Sequence, residues 1–235
     1  MKWMLCCFLV VTMQYAIGQT PLKNEWEEPD WISLFDGKST KGWHPYGQQY
    51  AATLQNGWTV EKGCLRTTVA TTNRKYADLM TDVEFEHFQL KLDWKLEKGS
   101  NSGIVIYANE NTRIYTVASQ SGPEIQIADG TIAETKLPKY ATADMVDLMS
   151  SYQPFVKPIG EWNTTEIICE KGKLDVYFNG KRCISTYLWG NNWKQAIGFS
   201  KYKQVPNFGM FKKGKIALMH QGSTVWYRNI VIKRL

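Results

Sequence analysis

Apolar and polar residues alternate along much of this chain, and a repeat of two is the period of a β-strand with one buried face and one solvated face. The longest such run is Phe88–Leu96, which alternates without a break. Its apolar residues are predicted to face a core. The opposite face carries Gln89, Lys91, Asp93 and Lys95.

Shorter apolar runs that end at turn residues predict further strands. They span residues 31–35, 58–60, 64–66, 165–170, 174–178, 182–187, 215–219 and 224–233. Asn179 and Gly180 form the strongest hairpin signal, because both residues tolerate the positive φ that a tight two-residue turn requires. We find no helix-period segment of useful length and no internal repeat. Many short strands in one domain indicate an all-β protein, an antiparallel β-sandwich.

Two segments do not fit the strand pattern. The segment 129–162 is long and contains three prolines. The segment 188–213 is rich in Trp, Phe, Tyr and Lys, with Gly and Pro interspersed. Loops of this length in a compact domain are binding elements or covers over a sheet. We expect both to wall the mouth of a cleft.

The first residues have the features of a secretory signal peptide, predicted to span residues 1–18. Lys2 is followed by an apolar run over residues 3–11, and small residues stand at positions 16 and 18. The run is too short to span a membrane. Residues 19–29 are polar and predicted to be a flexible tether, and residues 30–235 a single domain. The sequence therefore predicts an exported protein that does not span a membrane.

Cysteine and histidine usage excludes two kinds of stabilisation. After the predicted signal peptide only Cys64, Cys169 and Cys183 remain, and an odd number in apolar runs indicates buried thiols rather than a disulfide framework. The chain has no Cys-x-x-Cys pair and only three His. A structural zinc site is therefore not predicted.

Charge and aromatic content favour a sugar ligand over a nucleic-acid partner. The formal net charge is +6, but the lysines are mostly scattered, so the sequence predicts no nucleic-acid partner. Ten Trp and twelve Tyr are many for a polar chain. Most are expected in the core, and a few are available to stack on sugar rings.

Short motifs spread along the chain carry a resemblance to a known family. They are Leu34-Phe35-Asp36-Gly37, Gly42-Trp43, Asp93-Trp94-Lys95, Asn101-Ser102-Gly103-Ile104, Glu124-Ile125-Gln126, Asp147-Leu148, Gly160-Glu161-Trp162-Asn163, Asn179-Gly180 and Arg228-Asn229-Ile230. In this order, from about residue 31 to the C-terminus, the chain resembles the 3-keto-disaccharide hydrolase family.

The resemblance implies a concanavalin A-like jelly roll with its site on the concave face, exported to the periplasm or cell surface of a bacterium that degrades glycans. The implied substrates are oligosaccharides or glycosides oxidised at C3 of the sugar, cleaved by hydrolysis or by elimination followed by hydration. No cofactor is implied. One turn departs from the family pattern. The family often has Leu-Gln-Asp-His-Gly where residues 218–222 are Leu-Met-His-Gln-Gly.

The chemistry of such a substrate defines the groups that an enzyme must supply. A ketone at C3 acidifies the hydrogen on C2, so a base can remove it and the enolate can expel the substituent at C1. The reaction needs a base, a cationic or hydrogen-bonding group for the enolate oxygen, and an acid for the leaving group.

Glu124 is the candidate base, with an exposed strand carboxylate that has no role as the alternative. Ile125 and Ile127 are expected to face the core, which places Glu124 and Gln126 together on the opposite face. His220 is the candidate acid, with a turn residue satisfied by backbone as the alternative.

Arg228 and Lys95 are candidate cations for the enolate or a sugar hydroxyl. Alternation places Arg228 on the side of Ile230 unless a bulge intervenes, and a structural ion pair is its alternative. The remaining candidate sugar-binding residues are Asp93, Asn101, Tyr107, Gln126 and Trp162. Their alternatives are a solvated pair for Asp93 and Lys95, a turn for Asn101, and a loop anchor for Trp162.

Two other functions stay open. Residues 124–129 faintly resemble the Glu-Ile-Asp-Ile-x-x-Glu strand of retaining β-glucanases, whose two carboxyl groups lie about 5–5.5 Å apart. Here Gln126 replaces the central Asp, and Asp129 is expected on the other face. The second alternative is a non-catalytic carbohydrate-binding module. No ligand spacing shows a metal site, and a bound divalent metal remains open.

Overall fold

The computed structural model describes residues 30–48, 57–68 and 76–235, so the predicted signal peptide and tether lie outside the described residues. Its strands are β1 Ile32–Ser33, β2 Trp43–Pro45, β3 Trp58–Glu61, β4 Cys64–Thr67, β5 Leu79–Thr81, β6 Phe88–Leu96, β7 Asn101–Ala108, β8 Glu124–Ala128, β9 Asn163–Glu170, β10 Lys173–Phe178, β11 Lys181–Tyr187, β12 Lys215–Leu218 and β13 Val225–Arg234. One α-helix, α1 Asn191–Gly198, and two 3-10 helices, Ala118–Gln120 and Ala133–Lys136, complete the described elements.

The strands form two antiparallel sheets. An eight-stranded sheet has the order β11-β10-β9-β6-β13-β4-β3, with β1 also paired to β13. A five-stranded sheet has the order β2-β5-β12-β7-β8. The predicted all-β jelly-roll sandwich is confirmed.

The core lies between the sheets. On β6 the apolar positions are buried and the polar ones half-buried along the whole strand, as its alternation predicts. Leu92 and Trp94 of β6 meet Ile104 and Ile125 of the five-stranded sheet in one apolar cluster. Burial of each such side chain contributes about 1.5–3 kcal/mol.

The hairpin signals form the predicted turns. Asn179 and Gly180 have φ of 47° and 80°, and Lys171 and Gly172 have 46° and 84°. Positive φ at both central residues matches the twist of the flanking strands. The hairpins β9-β10 and β10-β11 are therefore determined locally.

A bulge in β13 settles which way Arg228 points. The register with β6 shifts between Arg228 and Val231, and Asn229 has φ 51°. The extra residue turns Arg228 towards the outside while Ile230 stays buried.

Helix α1 is an element that periodicity does not predict. It lies in the segment 188–213 and buries Trp193, whose Nε1 donates to the Gly209 carbonyl at 2.8 Å. A helix this short is marginal alone, so burial of this indole stabilises it.

The segment 129–162 covers the outer edge of the five-stranded sheet. The N–H of Ala143 donates to the Gln126 carbonyl at 2.9 Å, and the N–H of Val146 donates to the Glu124 carbonyl at 3.0 Å. The loop thus continues the sheet beyond β8 and buries both faces of that strand.

Cys64, Cys169 and Cys183 are free and buried, as predicted. Within the described residues, no helix has both the length and the apolar composition needed to cross a membrane.

Candidate functional site

The candidate site lies on the outer face of the five-stranded sheet, where β8 turns polar residues away from the core. Ile125 and Ile127 point into the sandwich, and Glu124 and Gln126 point outwards, as alternation predicts. Both polar residues are nevertheless buried, because the segments 129–162 and 188–213, here called the covering loops, close over this face.

Gly103 makes room for Glu124. It lies on the neighbouring strand β7, opposite Gln126. A Cβ built at Gly103 would lie 2.5 Å from Glu124 Oε1 and 2.8 Å from its Cγ. The Glu124 side chain therefore lies across the backbone of β7, a path open only where β7 has no side chain.

Gln126 and Asn101 lie in a short chain of polar contacts. Gln126 Nε2 donates to Asn101 Oδ1 at 3.2 Å, and Asn101 Nδ2 donates to Glu134 Oε2 at 2.8 Å. Asn101 begins strand β7 and is not part of a turn. The structure thus brings together three predicted residues, Glu124, Gln126 and Asn101, on one face.

Burial raises the pKa of Glu124 to about 8. The carboxylates of Asp78 and Glu134 act in the same direction, and the positive charge of Lys201 acts against them. A carboxyl group with a pKa near the working pH can accept and return a proton, which is what acid–base catalysis requires.

Lys201 and Tyr202 come from the segment 188–213 and border the site. Lys201 Nζ lies 4.9 Å from the Tyr140 ring centroid and 5.1 Å from that of Tyr202. The Tyr202 ring is stacked on Phe208 with centroids 3.9 Å apart. Burial and the nearby charge of Glu124 raise the pKa of Tyr202.

Sequence reasoning missed Lys201, Glu134 and Asp78. The only signal for Lys201 was the aromatic and lysine content of its segment. Nothing in the pattern marked Glu134, which a 3-10 helix directs towards Asn101. Asp78 precedes β5 and accepts backbone N–H groups from Ala118 and His220 at 3.1 Å each, while burial raises its pKa.

His220 is held by backbone on both ring nitrogens. Nδ1 accepts from the N–H of Gly222 at 3.0 Å, so Nε2 carries the proton and donates to the Gly57 carbonyl at 3.0 Å. The ring stacks on Tyr76 with centroids 4.3 Å apart, and burial lowers the pKa of the imidazole. This geometry fits a neutral turn residue, and it does not support the predicted acid.

Tyr107 does not reach the outer face, which corrects the prediction that it contacts sugar. It has φ 54° and packs in the core against Phe88. Its hydroxyl donates to the Glu86 carbonyl at 2.6 Å and lies 2.9 Å from Cys169 Sγ.

Arg228, Asp93, Lys95 and Trp162 lie on the outer face of the other sheet. Arg228 Nε is 3.6 Å from Asp93 Oδ2, and its guanidinium carbon is 3.8 Å from the Trp162 ring centroid. Lys95 Nζ is 5.1 Å from the same ring. Because both sheets separate these residues from Glu124, one sugar cannot contact both sets. The expectation that they share a site is corrected.

Asp129 serves a turn. Its Oδ2 accepts the N–H of Gly99 at 2.7 Å and its Oδ1 accepts that of Thr131 at 2.9 Å. These bonds lower the pKa of the carboxyl group. Asp129 and Glu124 therefore do not form the carboxylate pair of a retaining β-glucanase.

A separate cleft of about 500 Å³ opens beneath the segment 129–162. Its lining includes Trp94, Leu96, Val156 and Ile159 but none of Glu124, Gln126 and Asn101. The cleft is thus distinct from the candidate site. Across residues 30–48, 57–68 and 76–235, no three His, Cys, Asp or Glu residues are grouped so as to hold a metal ion.

Comparisons with known proteins agree with the motif resemblance. The model of the 3-keto-alpha-glucoside-1,2-lyase-like domain matches residues 30–233. A 3-keto-disaccharide hydrolase of Bacteroides thetaiotaomicron is 30% identical to this chain, in an alignment that covers 87% of this chain and 78% of that protein.

Solved structures give the same result. A protein of Parabacteroides distasonis that is assigned as a glycosyl hydrolase superposes with a TM-score of 0.74 at 27% identity, covering 87% of this chain and 94% of that one. A family GH16 endo-beta-1,3(4)-glucanase, at 14% identity and a TM-score of 0.52 over 88% of this chain and 98% of its own, shares the fold alone. The chain belongs to the family of 3-keto-alpha-glucoside-1,2-lyase-like domains, the 3-keto-disaccharide hydrolases.

Proposed function

We propose that this protein cleaves glycosides whose sugar carries a ketone at C3, and that Glu124 is the base that removes the proton from C2. Family membership and the hydrolase relatives support glycoside cleavage. The assignment of Glu124 rests on one observation. The Glu124 side chain is buried where it lies over Gly103, and this burial raises its pKa to about 8.

The proposed reaction begins with transfer of the C2 proton to Glu124. The C–H electrons form the enolate of the C3 ketone. As the ketone re-forms, a C1–C2 double bond appears and the C1–O bond to the leaving group breaks. Water then adds across that double bond, with hydroxyl at C1 and hydrogen at C2. The sum is hydrolysis of the glycosidic bond.

Glu124 also supplies the proton for the leaving group in this scheme. Both ring nitrogens of His220 are hydrogen-bonded to backbone groups. We therefore assign the leaving-group proton to Glu124, which has just accepted a proton from C2. A carboxyl group with a pKa near 8 returns a proton readily at neutral pH.

We assign to Lys201 the enolate-stabilising role that the sequence predicted for Arg228 and Lys95. It is the cation whose field acts on Glu124, and a positive charge beside the ketone oxygen stabilises the enolate. The amides of Gln126 and Asn101 are proposed to orient sugar hydroxyls, since both lie on the face of Glu124.

Non-catalytic carbohydrate binding is the second candidate. It is favoured by the backbone bonds that occupy both ring nitrogens of His220, the predicted acid. A binding module needs hydrogen-bonding groups and no acid.

The deciding experiment follows a 3-keto-glucoside and its unoxidised parent by NMR in D2O. We expect cleavage of the keto sugar alone, with deuterium at C2 or a glycal intermediate, and a kcat/KM that rises with pH around 8 as Glu124 ionises. Glu124→Gln should lower kcat by about 10²–10⁴-fold while sugar binding persists. Glu166→Gln, on the other sheet, is the matched control.

Three results would contradict the proposal. Cleavage of the parent sugar would indicate an ordinary glycosidase. Binding shifts without turnover would favour the binding module. Unchanged turnover in Glu124→Gln would remove Glu124 from the mechanism.

We propose further that the chain acts outside the cytoplasm, in the periplasm or at the cell surface. The support is the basic residue, apolar run and small residues of positions 1–18. Cell fractionation with N-terminal sequencing should find an exported protein that starts at Gln19. A cytoplasmic protein that retains Met1 would contradict this.

A further inference from the structure

Cations and indoles alternate in a row across the outer face of the eight-stranded sheet. Trp226 of β13 pairs with Arg66 of β4 on one side and with Lys95 of β6 on the other. Trp162, directly before β9, continues the row beyond Lys95, and Arg228 lies against Trp162. We call these five residues, Arg66, Trp226, Lys95, Trp162 and Arg228, the cation–indole row.

Each indole in the row contacts two cations. The Trp226 ring centroid lies 5.4 Å from the guanidinium carbon of Arg66 and 4.6 Å from Lys95 Nζ. The Trp162 centroid lies 5.1 Å from Lys95 Nζ and 3.8 Å from the guanidinium carbon of Arg228. Cations within about 6 Å of a ring are attracted by its electrons, so the row holds its charges in fixed places.

The charges of the row are only partly neutralised. Arg66 pairs with Glu61 at 2.7 Å and Arg228 with Asp93 at 3.6 Å. Among the described residues, no carboxylate lies within 4.0 Å of Lys95 Nζ. Lys95 therefore places an ammonium group between two indoles at the centre of the row, with N–H donors left for an anion.

We propose that the cation–indole row is a second binding surface, and that its ligand is an acidic glycan bearing carboxylate or sulfate groups. A neutral sugar binds aromatic residues by stacking on the ring face, and in this row cations already lie against both indoles. What the row offers is fixed positive charge, which complements an anion.

The geometry fits an extended chain. Arg66 and Lys95 lie two strands apart, which places their backbones about 10 Å from each other. The row therefore crosses the sheet from Arg66 to Trp162, with Arg228 two residues along β13 from Trp226. A glycan polymer is the acidic chain that a protein of a sugar-cleaving family encounters.

The position of the row separates binding from cleavage. Arg228 and Lys95 face away from the sheet that carries Glu124. A polymer held on the row would not contact the outer face of the five-stranded sheet, where cleavage is proposed to take place. The inference therefore does not depend on the proposed reaction, and its test measures binding alone.

The test measures binding of the full chain to polygalacturonate and chondroitin sulfate, with dextran as the neutral control, by isothermal titration calorimetry at low salt. We expect the acidic polymers to bind at least about tenfold more tightly than dextran and to be released as salt rises. Lys95→Gln should weaken binding about tenfold. Lys91→Gln removes the same charge from the same strand and face, but Glu166 neutralises Lys91 at 3.5 Å, so binding should stay within about twofold.

Thermal melts of both variants establish that each is folded. Equal binding of dextran, or no binding of either acidic polymer, overturns the proposal. Equal losses in Lys91→Gln and Lys95→Gln would show a general charge effect and also overturn it. Double-stranded DNA or phosphatidylserine vesicles that bind through Lys95 as tightly as the glycans would overturn the assignment to glycan.

Discussion

The outer faces of the two sheets arise from the same alternating sequence pattern but lie in different environments. Along β6 the outward residues Asp93 and Lys95 remain half-buried at an open surface. Along β8 the outward residues Glu124 and Gln126 are buried beneath the covering loops. Alternation sets which side of a strand a residue occupies, and the covering loops set whether that side meets water.

The environment changes what a charged residue does. On the open face cations lie against indoles and half-buried carboxylates, as in the cation–indole row. On the covered face burial raises the pKa of Glu124 to about 8. At the far end of the covered face, Lys215 Nζ donates to Glu110 Oε2 at 2.6 Å, and His44 Nε2 lies 3.0 Å from the same carboxylate. Burial opposes ionisation of Glu110, but these bonds outweigh it and lower its pKa.

The largest expected effect comes from filling the space beside Glu124. Gly103→Ala would place a Cβ 2.5 Å from Glu124 Oε1, so the carboxylate must move. A displaced catalytic group costs about 100-fold in turnover, and overpacking costs about 1–3 kcal/mol in the free energy of unfolding. Turnover assays and urea denaturation measure both losses.

Gly130→Ala is the matched control, because nothing lies within 4 Å of a Cβ at that position. We expect it to leave turnover and stability near the wild-type values. Normal turnover in Gly103→Ala would contradict the position assigned to Glu124.

A stability difference between the faces comes next. Lys215→Met leaves the half-buried Glu110 carboxylate without its buried lysine partner and should lower the free energy of unfolding by about 3 kcal/mol. Lys91→Met breaks the more exposed pair with Glu166 and should cost under about 1 kcal/mol. Equal losses in the free energy of unfolding for Lys215→Met and Lys91→Met, measured by chemical denaturation, would show that covering the face has no energetic consequence.

A smaller effect is a pH dependence of folding stability that we expect from the covered face. The folded state raises the pKa of Glu124 from 4.5 to about 8, so it favours the protonated form. The wild type therefore loses stability as pH rises through that window, and Glu124→Gln does not. We expect the Tm of Glu124→Gln to exceed that of the wild type by a few degrees at pH 9 and to match it near pH 4. A Tm difference that is independent of pH would argue against a buried, titrating Glu124.

The smallest effect is expected at Arg228. Arg228→Met removes the contacts with Trp162 and Asp93 at an open surface, which should cost under about 1 kcal/mol in stability. Turnover of a small 3-keto-glucoside should stay near that of the wild type. A loss of 100-fold or more would return Arg228 to the reaction.

The predictions from sequence succeeded where local patterns decide. Strand Phe88–Leu96, the hairpin turn at Asn179 and Gly180, and the shared face of Glu124 and Gln126 all follow from contacts between near neighbours. The prediction for Arg228 depended on a bulge that no periodicity reveals, since one residue with positive φ reverses the sides of the strand after it.

The sequence by itself determined the fold class, the family and the side of the strand on which each β8 residue lies, because a period of two and short motifs are local properties. Only the tertiary structure decided that Arg228 and Lys95 face away from Glu124, that Tyr107 enters the core and that Lys201 borders the site. These outcomes depend on which sheet a strand joins and on which loop covers it. Both are set by packing between residues far apart in the chain, which no local pattern records.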